Sequence, residues 1–182
     1  MDAYNAWDFE TRYKQILFKL KLENLDKKVG SLEEMLKGAD VFIGLSAGGA
    51  LKPEWIKGMA EKPIIFALAN PTPEIYPSQA HEAGAYIVAT GRSDFHNQVN
   101  NSLAFPGLFR AAIDTRSKVI SVEMKEAASM AIAGLVTDEF LSAEYIIPAG
   151  LDPRVPIAVT NAVAKTAIEM RYANNKKMTA CR

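Results

Sequence analysis

The sequence predicts an α/β fold class with three layers, a parallel βαβαβ half-sheet followed by C-terminal helices. Three observations carry that prediction. Short apolar runs recur at Val41–Leu45 (VFIGL), Ile64–Leu68 (IIFAL) and Tyr86–Thr90 (YIVAT). Each is continuous rather than alternating, the pattern of strands buried on both faces. Helical segments opened by proline separate them, and longer helical patterns fill the chain after Thr90. Strand, helix, strand, helix, strand at this spacing builds a βαβαβ unit with right-handed crossovers.

Each element has a local reason. In the first 28 residues, Ile16–Leu22 ends in alternation, as a half-exposed strand does, and Asp8–Leu20 equally fits an irregular helix. Ser31-Leu32-Glu33-Glu34 is a capping box, so a helix starts there and runs to about Lys37, stopped by Gly38. Pro53–Glu61 places Trp55, Ile56 and Met59 at helical spacing behind a proline whose fixed φ suits a first helical position. Pro77–Ala83 repeats the device and closes on Gly84. Asn100–Arg116 carries an apolar face through Leu103, Leu108 and Phe109, with a kink or break expected at Pro106-Gly107. Ser121–Val136 is rich in Ala and Met. Val155–Tyr172 lines up Val155, Val159, Ala162, Val163, Ala167 and Met170.

Composition narrows the function. The 182 residues suit one domain with its own core, and 21 Lys+Arg balance 21 Asp+Glu, which argues against a nucleic-acid partner. No uncharged apolar run reaches the roughly 18–20 residues of a membrane span. The N-terminus, dotted with Asp2, Asp8 and Glu10, does not read as a signal peptide. The single cysteine, Cys181, makes an internal disulfide impossible, and a cytoplasmic location is the simplest setting. No G-x-G-x-x-G, G-x-S-x-G or G-x-x-x-x-G-K-[ST] motif occurs.

In an open α/β sheet, ligands bind outside the carboxyl ends of the strands. The segments expected there are Ser46–Ala50, Ala69–Glu74 and Gly91–Asp94. Ser46–Gly49 either lets backbone approach a ligand or is a turn that needs glycine. Asn70 offers a donor and an acceptor to a ligand, or closes its own turn. The amides of Asn97, Gln98, Asn100 and Asn101 either help bind an anion or supply an N-cap, the commoner use. His81 and His96 are too far apart, and too short of acidic neighbours at helical spacing, to form a metal-site pattern. Arg12, Lys14, Lys19 and Lys21 read as a solvated basic face.

Three of these stretches, Ala39–Ala50 (ADVFIGLSAGGA), Phe66–Ile75 (FALANPTPEI) and Ala89–Arg110 (ATGRSDFHNQVNNSLAFPGLFR), resemble the malic enzyme family in its bacterial-type short form. Ile146–Met170 resembles that family's C-terminal helix region. The similarity runs from about Val29 to Tyr172. His96 departs from it, standing where proline is common, and residues 1–28 do not match. The resemblance divides the chain into an N-terminal segment (1–28), the C-terminal part of an NAD(P)-binding domain (29–173) and a tail (174–182).

The resemblance implies a partial Rossmann-like sheet and oxidative decarboxylation of L-malate to pyruvate with NAD or NADP and Mg²⁺ or Mn²⁺. It implies cofactor contacts at Leu45, Ser46, Ala47, Asn70 and Gly91, and substrate contacts at Asn70, Asn100 and Asn101. The family's catalytic tyrosine and lysine, metal ligands and glycine-rich loop all precede the matching region. The chain therefore reads as a fragment, inactive alone. The strand at Val41–Leu45 would lack its neighbour, an open edge that Ile16–Leu22 or a second copy would cover. A homo-oligomer, or association with the missing enzyme half, is the expected partner. The alternatives are a non-catalytic dinucleotide-binding or oligomerisation module and, less favoured, a domain of another dehydrogenase.

Overall fold

A computed structural model describes residues Gly30–Asn174. The chain divides between Met35 and Leu36 into two units. In the first, the capping box forms: the Ser31 N–H donates to Glu34 Oε2 (3.1 Å) and the Glu34 N–H to Ser31 Oγ (3.3 Å). It opens α1, Leu32–Leu36.

The second unit begins with three parallel strands in the order β1 (Val41–Gly44), β2 (Ile64–Ala67) and β3 (Ile87–Thr90). Val41 pairs with Ile64 and Ile64 with Ile87, so the strands stay in register to their carboxyl ends. The short crossover helices are α2 (Pro53–Ile56) and α3 (Pro77–Glu82), each with proline in its first turn. The first is shorter than the expected Pro53–Glu61 segment. The Gly38 N–H reaches the Gly58 carbonyl (2.9 Å) and the Ala60 N–H reaches Ala39 (3.0 Å), so tertiary pairing replaces the helical ladder there. Gly84, at φ +106°, takes the left-handed conformation that ends the α3 segment.

A core of Phe42, Ile65, Ala67 and Val88 on one sheet face packs with Ile56, Ala80 and Ala83 from these helices. The expectation that all three strands are buried on both faces fails at β1. Its residues alternate, with Phe42 and Gly44 buried but Val41 44% and Ile43 63% exposed. The continuous run VFIGL reported the strand correctly, but burial of its second face depends on a covering layer. None is seen among the described residues.

Beyond β3, a 3₁₀ turn (Asn101–Leu103) precedes α4 (Phe105–Asp114), α5 (Val122–Ala133) and α6 (Arg154–Glu169). The break falls at Ala104 rather than at Pro106-Gly107. Pro106 lies in the first turn of α4, where its missing N–H costs no bond. Leu103 and Leu108 are buried as expected, but Phe109 is 49% exposed and stacks on Phe105 at the surface. On α6, Val155, Val159, Val163 and Ala167 form the buried stripe, whereas Met170 lies past the helix end and is exposed. These helices share a second core, centred on Met124, Val159 and Val163.

Candidate functional site

Parallel register brings three loops to one edge of the sheet. β1 delivers Leu45, Ser46 and Ala47, all exposed; β2 delivers exposed Asn70; β3 delivers buried Gly91. Thr90 also pairs with the segment behind it: the Val99 N–H donates to the Thr90 carbonyl at 2.8 Å. That pairing returns Asn100 to the strand end.

Gly91 is the meeting point. A Cβ added there would lie 3.0 Å from Asn70 Nδ2, so glycine is what lets the Asn70 amide approach. On the other side Asn100 Nδ2 donates to the Gly91 carbonyl at 2.9 Å. Asn70, Gly91 and Asn100 are therefore brought together. Asn100 Oδ1 also accepts from the Ser102 N–H (2.9 Å), so Asn100 is the N-cap of the 3₁₀ turn and both ends of its amide have partners. Asn101 follows, exposed. An open groove of about 350 Å³ borders these amides, lined by Val99, Asn100, Asn101 and Leu103 with Ser129, Ile132, Ala133, Ile146 and Ile147.

Asn97, from the same amide-rich run, does a different job. It is buried at φ +52°, donates to the carbonyls of Val88 (3.1 Å) and Ala143 (2.8 Å), and accepts from the Ile146 N–H (2.9 Å). It pins the 143–146 segment to β3. Gly48 likewise has a structural reason: a Cβ there would sit 2.7 Å from Thr72 Cβ in the next loop. Of the histidines, His81 Nδ1 is 3.1 Å from the Ala85 carbonyl and Nε2 is 3.7 Å from Glu144, while His96 is exposed.

Two side chains that the motif reading did not single out knit the loops. Glu74 is completely buried, and its carboxylate accepts from the Ser46 N–H (2.8 Å), Ser46 Oγ (3.2 Å) and the Ala69 N–H (3.0 Å). Burial pushes its pKa up, but the backbone donors at Ser46 and Ala69 outweigh that and hold it below the ordinary 4.5. Arg92 forks onto Asp94 at 2.7 and 2.8 Å and donates to the Pro71 carbonyl at 2.8 Å, joining the β3 loop to the cis Asn70–Pro71 turn. The signal for Glu74 was a lone acid closing the proline-rich run Pro71-Thr72-Pro73, directly before apolar Ile75.

The edge therefore offers small residues, exposed loop positions and an uncharged amide at Asn70. Among the described residues no group of three or more His, Cys, Asp or Glu is placed to hold a metal ion. No helix among them is long and apolar enough to cross a membrane.

The chain is similar to known proteins over most of its length. The sequence profile "Malic enzyme, NAD binding domain" matches residues 8–168, so the match begins inside the 1–28 segment that was expected to lie outside it. A bifunctional malic/malolactic enzyme of Bacillus subtilis (strain 168) is 59% identical over 153 residues, covering 84% of this chain and 37% of that protein. An NAD-dependent malic enzyme of Geobacillus stearothermophilus is 51% identical, over 81% of this chain and 30% of its own length. The crystal structure of Entamoeba histolytica malic enzyme superposes with a TM-score of 0.80 at 46% identity, over 86% of this chain and 32% of that one. The chain thus spans about a third of the length of these three relatives.

Proposed function

Because the chain belongs to the malic enzyme family, matched over that family's NAD-binding domain, we propose that its carboxyl edge is one wall of an NAD(P) and L-malate site. Residues 29–173 act as the dinucleotide-binding part. Leu45, Ser46 and Ala47 line the cofactor, Gly91 contributes to its site by leaving room for the Asn70 amide, and Asn70 serves both cofactor and substrate. Asn100 and Asn101 face the substrate. The observation that carries this reading is the convergence of Asn70 and Asn100 on Gly91 beside an exposed backbone shelf. Bound nicotinamide supplies the hydride acceptor for oxidation at the malate hydroxyl carbon. The chain's own residues bind and orient: Asn70 can donate to a carboxylate or a carboxamide oxygen while accepting from a hydroxyl.

The decarboxylation to pyruvate that the family reading implies takes a divalent metal, and the described residues do not fit one. On this reading the chain alone binds and orients its ligands without turnover. The partners that fit this reading are further copies of the chain or the remaining parts of a malic-enzyme-like assembly, in the cytoplasm. Binding without catalysis is the alternative role.

The test is a fluorescence titration with NADH and NADPH alongside a malate turnover assay with Mn²⁺. Wild-type chain binds at least one dinucleotide without turnover. Asn70→Ala weakens binding about tenfold, the size of one lost polar contact. Absence of binding to either nucleotide overturns the reading, and turnover by the chain alone overturns its inactive part.

A further inference from the structure

Glu74 is the one fully buried acid of the described residues, and its carboxylate accepts from the neutral donors of Ser46 and Ala69. Burying a carboxylate without a counter-ion is costly unless hydrogen bonds replace its hydration. Here they come from two separate loops, the Ser46 N–H and hydroxyl after β1 and the Ala69 N–H after β2. Space for the group is made by Gly44: a Cβ there would lie 2.5 Å from the Glu74 carboxyl carbon. The backbone repeats the tie, since the Gly49 N–H donates to Pro73 (3.1 Å) and the Leu51 N–H to Glu74 (3.1 Å). Core packing alone does not call for a charge at this position.

We propose that Glu74 is a positioning residue that couples the Leu45–Ala47 loop to the Ala69–Asn70 loop, so that cofactor-facing backbone and the Asn70 amide are set as one surface. This rests on the functional reading above for what the surface binds, but not for the coupling itself. Each carboxylate oxygen serves one loop: Oε1 takes Ser46 and Oε2 takes Ala69. A glutamine of the same size keeps one acceptor and turns an NH₂ toward the other N–H, so it holds one loop and releases the other.

Two measurements on the full chain test this. In wild-type protein, the Ser46 and Ala69 amide signals are followed by NMR from pH 7 downward. They shift together, with one shared midpoint below that of an ordinary glutamate. Separate midpoints, or none, overturn the coupling, and this arm needs no variant to fold. In Glu74→Gln, checked for retained protection of the β2 amides, exchange at Ser46 or Ala69 rises at least tenfold and NADH binds about tenfold more weakly. Unchanged NADH affinity in a folded variant with a released loop reduces Glu74 to a structural role and overturns the positioning. If wild-type chain binds no dinucleotide, the functional reading fails, while the shared midpoint still upholds or overturns the coupling.

Discussion

A buried carboxylate held by N–H donors makes folding sensitive to acid, and Glu74 sets the direction of that sensitivity. Its folded pKa lies below the unfolded value of 4.5, so the ionised form favours the folded state. The contribution is complete above that value and is lost as pH falls through the folded pKa. The urea midpoint of the wild-type chain therefore stays level near neutrality and drops below about pH 4.5. Glu74→Gln starts lower at pH 7 and loses less on acidification. Equal slopes for the two proteins would show that other acids carry the acid limb. At this scale the sequence was a partial guide. Asn70 and Gly91 were legible, because an amide or a glycine after a strand is a local signal. Asn97 was not separable from Asn100, because its three partners, at Val88, Ala143 and Ile146, lie 9 to 49 positions away.

Between elements, one glycine decides how closely two helices pack. Gly107 on α4 faces α6, where an added Cβ would lie 2.7 Å from Val159 Cβ and 2.9 Å from the Pro156 carbonyl. The Thr160 hydroxyl also donates to the Gly107 carbonyl at 3.2 Å. Alanine is the better helix former by roughly 1 kcal/mol, so propensity alone predicts that Gly107→Ala stabilises. Packing predicts the reverse, a loss of about 1–3 kcal/mol from overfilling a tight crossing. Urea unfolding decides between them, and adding Val159→Ala to Gly107→Ala recovers part of the loss. Element types were well indicated by period and punctuation, as the two proline-opened helices show. Element lengths were not. α2 stops at Ile56 because Gly58 and Ala60 pair with Gly38 and Ala39 rather than continuing the helix.

For the molecule as a whole, the bare side of the sheet matters most. β1 is an edge strand among the described residues, and it presents Val41, Ile43 and, just beyond it, Leu45, the last 80% exposed. An open apolar edge is a pairing liability. The cover expected from Ile16–Leu22 lies outside the described residues. The chain is expected to self-associate with rising concentration in sedimentation velocity. Ile43→Lys shifts it toward monomer without lowering the urea midpoint, because Ile43 contributes little buried surface. A wild-type chain that stays monomeric throughout would count against assembly through this face.

The sequence by itself determined the parallel βαβαβ order, the capping box, the helices behind it and the three loops at the carboxyl edge. Those features rest on periodicity, proline and glycine placement, and side-chain type within a few residues. The tertiary structure alone decided that Glu74 would join Ser46 to Ala69, that Asn100 would reach Gly91, and that β1 would show one face to solvent. Ser46 and Glu74 are 28 positions apart. Their meeting depends on the register of β1 against β2 and on a glycine that leaves room for a carboxylate, and neither is a property of any short stretch of chain.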